Sequence, residues 1–87
     1  MVKQRKTIDV HHSGLSGPIR VDKDDLDPAE TAARILARRI YGKRGICRLW
    51  DLVEISPDGA TATYKVFLGY YNGHNTDVTG ANYYLYV

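Results

Sequence analysis

Few side chains in this sequence could carry covalent or metal chemistry: one cysteine, Cys47, and three histidines, His11, His12 and His74. His11 and His12 are neighbours in a segment of alternating character. As strand residues they point to opposite faces and cannot hold one metal together in regular geometry. Cys47 falls on an apolar alternation and reads as a small core residue rather than a nucleophile. His74 sits in the loop segment Asn72-Gly-His-Asn75. No spacing couples any of these to a base or to a second ligand, so no catalytic residue, metal site or cofactor is expected, and the chain reads as non-enzymatic. The acidic run Asp22-Lys-Asp-Asp-Leu-Asp27 lacks the glycine of a calcium-binding loop, carries Leu26 where a ligand belongs, and runs into Pro28. It reads as a solvated loop that caps a helix.

Binding residues are more plentiful. Six of the twelve basic residues, Arg34, Arg38, Arg39, Lys43, Arg44 and Arg48, fall within fifteen positions, and five of the ten acidic residues lie between Asp22 and Glu30. Acid at the start of a helix and base at its end complement the helix dipole, and Glu30 with Arg34 is a favourable i,i+4 pair. That accounts for most of the pattern, leaving Lys43, Arg44 and Arg48 past the helix end. With Lys3, Arg5 and Lys6 they could contact phosphates or an acidic protein surface. No helix-turn-helix, zinc-finger spacing or RNA-recognition aromatic motif accompanies them. Ile35 lies off the apolar stripe beside Arg38 and Arg39, where a contact role would explain it. A second set is aromatic: Trp50, Phe67, Tyr71, Tyr84 and Tyr86 fall on the strand sides opposite the expected core.

The elements that must position these residues follow from local signals. Asp27 is a good N-cap, Pro28 suits the first helical position, Glu30 stands where a capping box would place it, and Gly42 suits a left-handed C-cap. Between them Ala29, Ala32, Ala33, Leu36 and Ile40 recur at helical spacing, and the alanines let a sheet approach closely. The rest alternates with period two. Thr7 to His12 and Ile19 to Val21 flank the hairpin loop Ser13-Gly-Leu-Ser-Gly17. Ile46 to Ile55 is closed by the turn Ser56-Pro-Asp-Gly59. Ala60 to Tyr71 follows, then a polar loop over 72–80 and a tyrosine-rich strand from Asn82 to Val87. The order ββαβββ predicts an α+β domain spanning 1–87, with a single helix packed on one face of a mostly antiparallel sheet of four or five strands. One helix covers only one face, so the second aromatic set should look outward. Tyr and Trp suit interfaces because they bury large area at little entropic cost.

An apolar share of 44% and a charged share of 25% argue for a globular chain. A net charge of +2 does not by itself call for nucleic acid. No apolar run approaches a membrane span, no signal-peptide core follows the basic start, and a lone cysteine fits a reducing, cytoplasmic setting. The capped, alanine-rich helix start Asp-Pro-Ala-Glu-Thr-Ala-Ala-Arg (27–34), feeding an antiparallel meander in so short a chain, resembles several small phage-encoded inhibitors, the anti-CRISPR proteins. The resemblance implies a stoichiometric binder that occludes a site on a larger protein or ribonucleoprotein complex in the host cytoplasm. Such inhibitors are more often acidic, so the basic cluster here departs from them and suits an acidic or aromatic-accepting surface. Two alternatives stay open: a small nucleic-acid-binding domain in which the basic cluster grips phosphates and tyrosines stack bases, and a homodimer whose aromatic face is the subunit interface.

Overall fold

The computed structural model describes residues 6–73 and 77–87, and of Leu49 the backbone. Its elements are β1 (Thr7–His12), β2 (Ile19–Asp22), α1 (Pro28–Tyr41), a short 3-10 turn (Gly42–Arg44), β3 (Ile46–Ile55), β4 (Ala62–Tyr71) and β5 (Val78–Tyr86). The five strands form one sheet in the order β2-β1-β5-β4-β3, with antiparallel pairing throughout. This is the expected α+β arrangement.

Helix α1 starts where local chemistry dictates. The Asp27 carboxylate accepts from the Glu30 N–H at 3.1 Å, and Pro28 opens the first turn. The reciprocal half of the capping box does not form. Glu30 turns instead to Arg34, 2.8 Å away, and the Asp27 N–H donates to Asp25 Oδ1 at 2.9 Å. Asp25 also accepts from the Thr31 hydroxyl at 2.7 Å, which ties the acidic loop to the helix. Both donors favour the charged carboxylate and hold its pKa below the usual range. At the other end Gly42 does not adopt the expected left-handed helical cap: with φ 75° and ψ −158° it is extended on the positive-φ side, a conformation that glycine accommodates, and its N–H donates to the Arg38 carbonyl.

Ala32, Ala33, Leu36 and Ala37 are buried against Val10, Ile19, Val21, Val66, Leu68 and Leu85, and Ala29 is buried at the start of the same helix. The small side chains bring the helix backbone close to the sheet, and Leu36 supplies the bulk; truncating it to alanine would cost about 2–5 kcal/mol. Tyr41 pins the helix end to the sheet. Its hydroxyl meets that of Tyr83 at 3.3 Å, and its ring lies 5.7 Å from that of Tyr70. This partner, together with burial, pushes the Tyr41 pKa up to about 12.

Two connections follow the expected chemistry. In the Ser56-Pro-Asp-Gly59 turn the Gly59 N–H donates to the Ser56 carbonyl at 2.8 Å, and Gly59 adopts φ 71°. In the β1–β2 loop His12 accepts from the Gly14 N–H through Nδ1 at 3.0 Å, so Nε2 carries the proton donated to the Gly17 carbonyl at 2.8 Å. His12 is therefore a loop tie.

The polar loop read over 72–80 is shorter than expected, because β5 begins at Val78 rather than Asn82. Gly80, expected at the end of that loop, lies directly opposite Gly69 of β4. A Cβ there would stand 2.1 Å from the Leu68 carbonyl oxygen. Glycine is needed at this point to let two strands approach.

The sheet outreaches its helix. Fourteen helical residues span about 21 Å, while each ten-residue strand of the β3–β4 hairpin spans about 33 Å. The Cα radius of gyration is 14.2 Å, against about 12 Å for a compact chain of this length. The hairpin end overhangs.

Candidate protein-docking surfaces

Register decides which residues share a face, and β3 contains two irregularities. Arg48 pairs with Phe67 and Asp51 with Lys65, so Leu49 and Trp50 together oppose Val66. Leu52 pairs with Tyr64 and Glu54 with Thr63, so Val53 is extra. Each bulge displaces the alternation by one residue. Trp50, Leu52 and Ile55 consequently lie on the helix side of the sheet with Cys47, and Arg48, Asp51 and Glu54 lie on the reverse.

This corrects the expected position of Trp50. It does not join Phe67, Tyr71, Tyr84 and Tyr86. Its ring meets Tyr64 edge-on at 6.3 Å, beside the first turn of α1. With Leu52, Tyr64, Asp27, Ala29 and Glu30 it lines an open cleft of about 460 Å³. The overhang leaves Leu52, Val53 and Ile55 more than half exposed, at 53, 54 and 58%. This apolar strip was not singled out from the sequence, because period-two counting that ignores the bulges puts Leu52 on the side opposite Val53 and Ile55 and so hides their grouping.

The reverse face is as expected otherwise. Phe67 is half-buried, and Tyr71, Tyr84 and Tyr86 are exposed, at 43, 37 and 38%. Cross-strand pairing puts Lys65 opposite Tyr84, Phe67 opposite Asn82, and Tyr86 between Thr63 and His11. Among the described residues no element covers this side. Arg48 donates to the Tyr71 hydroxyl, and its guanidinium carbon lies 5.0 Å from the ring centroid. A cation over an aromatic face adds a directed charge to an apolar surface. Gly69 and Gly80 keep its upper part free of side chains.

The basic cluster, contiguous in sequence, disperses in space. Arg34 is tied to Glu30 and lies over Cys47, where its charge partly offsets the burial that pushes the thiol pKa up. Arg39 donates to the Gly17 carbonyl at 3.1 Å and so braces the β1–β2 loop. Arg38 and Ile35 are exposed on the outer face of α1, Lys43 and Arg44 project from the 3-10 turn, and Arg48 is on the far side of the sheet. Lys3, Arg5 and His74 lie outside the described residues. Cys47 is half-buried and packs on the core. His11 and His12 occupy opposite faces, as expected. Among the described residues no group of three His, Cys, Asp or Glu side chains gathers where a metal ion could be held, and no helix is long and apolar enough to cross a membrane.

The chain matches no protein-family model, no curated protein and no solved structure. The surfaces themselves must therefore carry the functional reading.

Proposed function

We infer that the chain is a non-enzymatic protein-binding module that docks through the reverse face of its sheet. The observation that carries this reading is the uncovered face itself, where Phe67, Tyr71, Tyr84 and Tyr86 gather around Arg48 and Lys65. Aromatic rings with polar tips and an arginine held over one of them are the ingredients of a protein interface with a few dominant anchors. The mode is stoichiometric occlusion of a site on a larger complex in a reducing cytoplasm, in keeping with the likeness of the helix start and element order to small phage-encoded inhibitors. Dispersal of the basic residues over both sides of the molecule weighs against a phosphate-tracking groove as the main contact.

Affinity capture from host extract, with and without nuclease, tests this. A protein partner retained after nuclease is expected, and Tyr84→Ser with Tyr86→Ser should reduce its capture by at least about tenfold, the change that loss of roughly 1.4 kcal/mol produces. Arg34→Glu with Arg38→Glu should leave capture intact. Capture lost on nuclease treatment, or lost with the arginine pair and kept with the tyrosine pair, refutes the reading.

A further inference from the structure

Strand β3 is an edge of the sheet, ten residues long, with β4 on one side and no strand on the other among the described residues. Natural edges are protected by charged side chains on the apolar side, by brevity or by bulges. The helix side of this edge carries Trp50, Leu52 and Ile55, all exposed and none charged. Two bulges are present, and their placement is symmetric. With Trp50 and Leu52 on the same side, the extra residues are Leu49 and Val53, each two positions from Asp51.

We propose that β3 pairs with β3 of a second copy of this chain, antiparallel about a two-fold axis at Asp51, joining two sheets into one of ten strands. The sequence is complementary to itself in that register. Arg48 falls opposite Glu54 of the second copy, twice over, on the reverse face. Trp50 falls opposite Leu52 on the helix side, twice over, which sets the overhanging apolar strips of the two copies side by side. The bulges at Leu49 and Val53 meet each other, so that neither interrupts the pairing of the rest. Such an isologous contact requires one patch to match itself under rotation, and directly opposed unlike charges and apolar pairs are what stabilise antiparallel neighbours. The cost is the approach of two Asp51 carboxylates on the axis, each of which already faces Lys65 of its own β4. The hydrogen bond from Arg48 to Tyr71 uses one of five guanidinium donors and leaves the fork free for a carboxylate. This edge meets the docking face at Arg48 and lies apart from Tyr84 and Tyr86; pairing would set two such faces side by side on one continuous sheet.

Light scattering coupled to size exclusion, run over a dilution series with circular dichroism as a fold control, tests the register. The wild-type chain should give twice the chain mass at high concentration and dissociate on dilution. Arg48→Glu alone and Glu54→Arg alone each oppose like charges and should weaken dimerisation by at least about tenfold, while the double exchange R48E/E54R restores it. Leu52→Lys, placed at an exposed position, should also give a folded monomer. A wild-type chain that stays monomeric at every concentration overturns the proposal. So does a dimer indifferent to both single changes, or a folded double exchange that remains as monomeric as either parent.

Discussion

Replacing Gly80 with alanine is the most direct test of how β4 and β5 are held together. An added Cβ would lie 2.1 Å from the Leu68 carbonyl oxygen and 2.6 Å from the Gly69 Cα. Ordinary carbon contacts begin at about 3.5 Å, so one backbone must retreat by roughly 1 Å. Neither can do so cheaply, since both belong to the interior of the longest ladder, which runs unbroken from Thr63↔Tyr86 to Tyr71↔Val78. Stretching two ladder hydrogen bonds loses about 0.5–1.5 kcal/mol each, and overpacking of this kind costs about 1–3 kcal/mol in total. The expected loss is about 1–3 kcal/mol, out of the roughly 4–13 kcal/mol that a domain of this length has to spare. Urea unfolding of the variant against the parent measures it. Gly17→Ala is the matched control: its Cβ would meet nothing within 4 Å, so stability should stay within about 0.5 kcal/mol or rise slightly. If Gly80→Ala proves as harmless as Gly17→Ala, the close approach is not a constraint and the reason given for the early start of β5 fails.

Other outcomes follow from titration and reactivity. The Tyr41 hydroxyl, with its pKa pushed up to about 12 by Tyr83 and burial, favours the fold below the ordinary value near 10 and ceases to do so as pH rises through about 12; Tyr41→Phe should flatten that alkaline loss in urea midpoints recorded from pH 9 upward. Asp25 has its pKa lowered by Thr31 and the Asp27 N–H, so its contribution is present above about 4 and fades as acid protonates the folded carboxylate. The stability gap between wild type and Asp25→Asn should therefore shrink below that pH, read by helical circular dichroism. Cys47, with its thiol pKa raised by burial and partly restrained by Arg34, should react with a disulfide reagent at pH 8 several-fold more slowly than a free cysteine, and Arg34→Ala should slow it further.

What was legible in the sequence is what short-range chemistry controls. Asp27, Pro28 and Gly42 set the helix ends because caps act within one turn. The sides of β4 were readable because Ala62 to Tyr71 alternates without interruption. The sides of β3 were not, since a bulge is a property of two paired strands: nothing in Arg48-Leu-Trp-Asp51 announces that two of its residues will oppose Val66 alone. Gly80 misled for a similar reason, being required by a strand eleven residues earlier in the chain rather than by a turn. The basic residues were read as one cluster because they are close in sequence, but a helix, a 3-10 turn and an edge strand point them in different directions. Arg39, expected to contact a partner, is occupied together with His12 in fixing the Gly17 carbonyl.

The bulge at Leu49 and Trp50 also gives the protein a natural optical reporter. Trp50 is the sole indole in the chain, set against the phenol of Tyr64 and beside the first turn of the helix. Its emission will register whatever happens at the protruding end of the hairpin, blue-shifting if water is driven from that side and staying put if a ligand settles on the opposite side. A single spectrum thus tells occupancy of one flank from occupancy of the other, with no label attached.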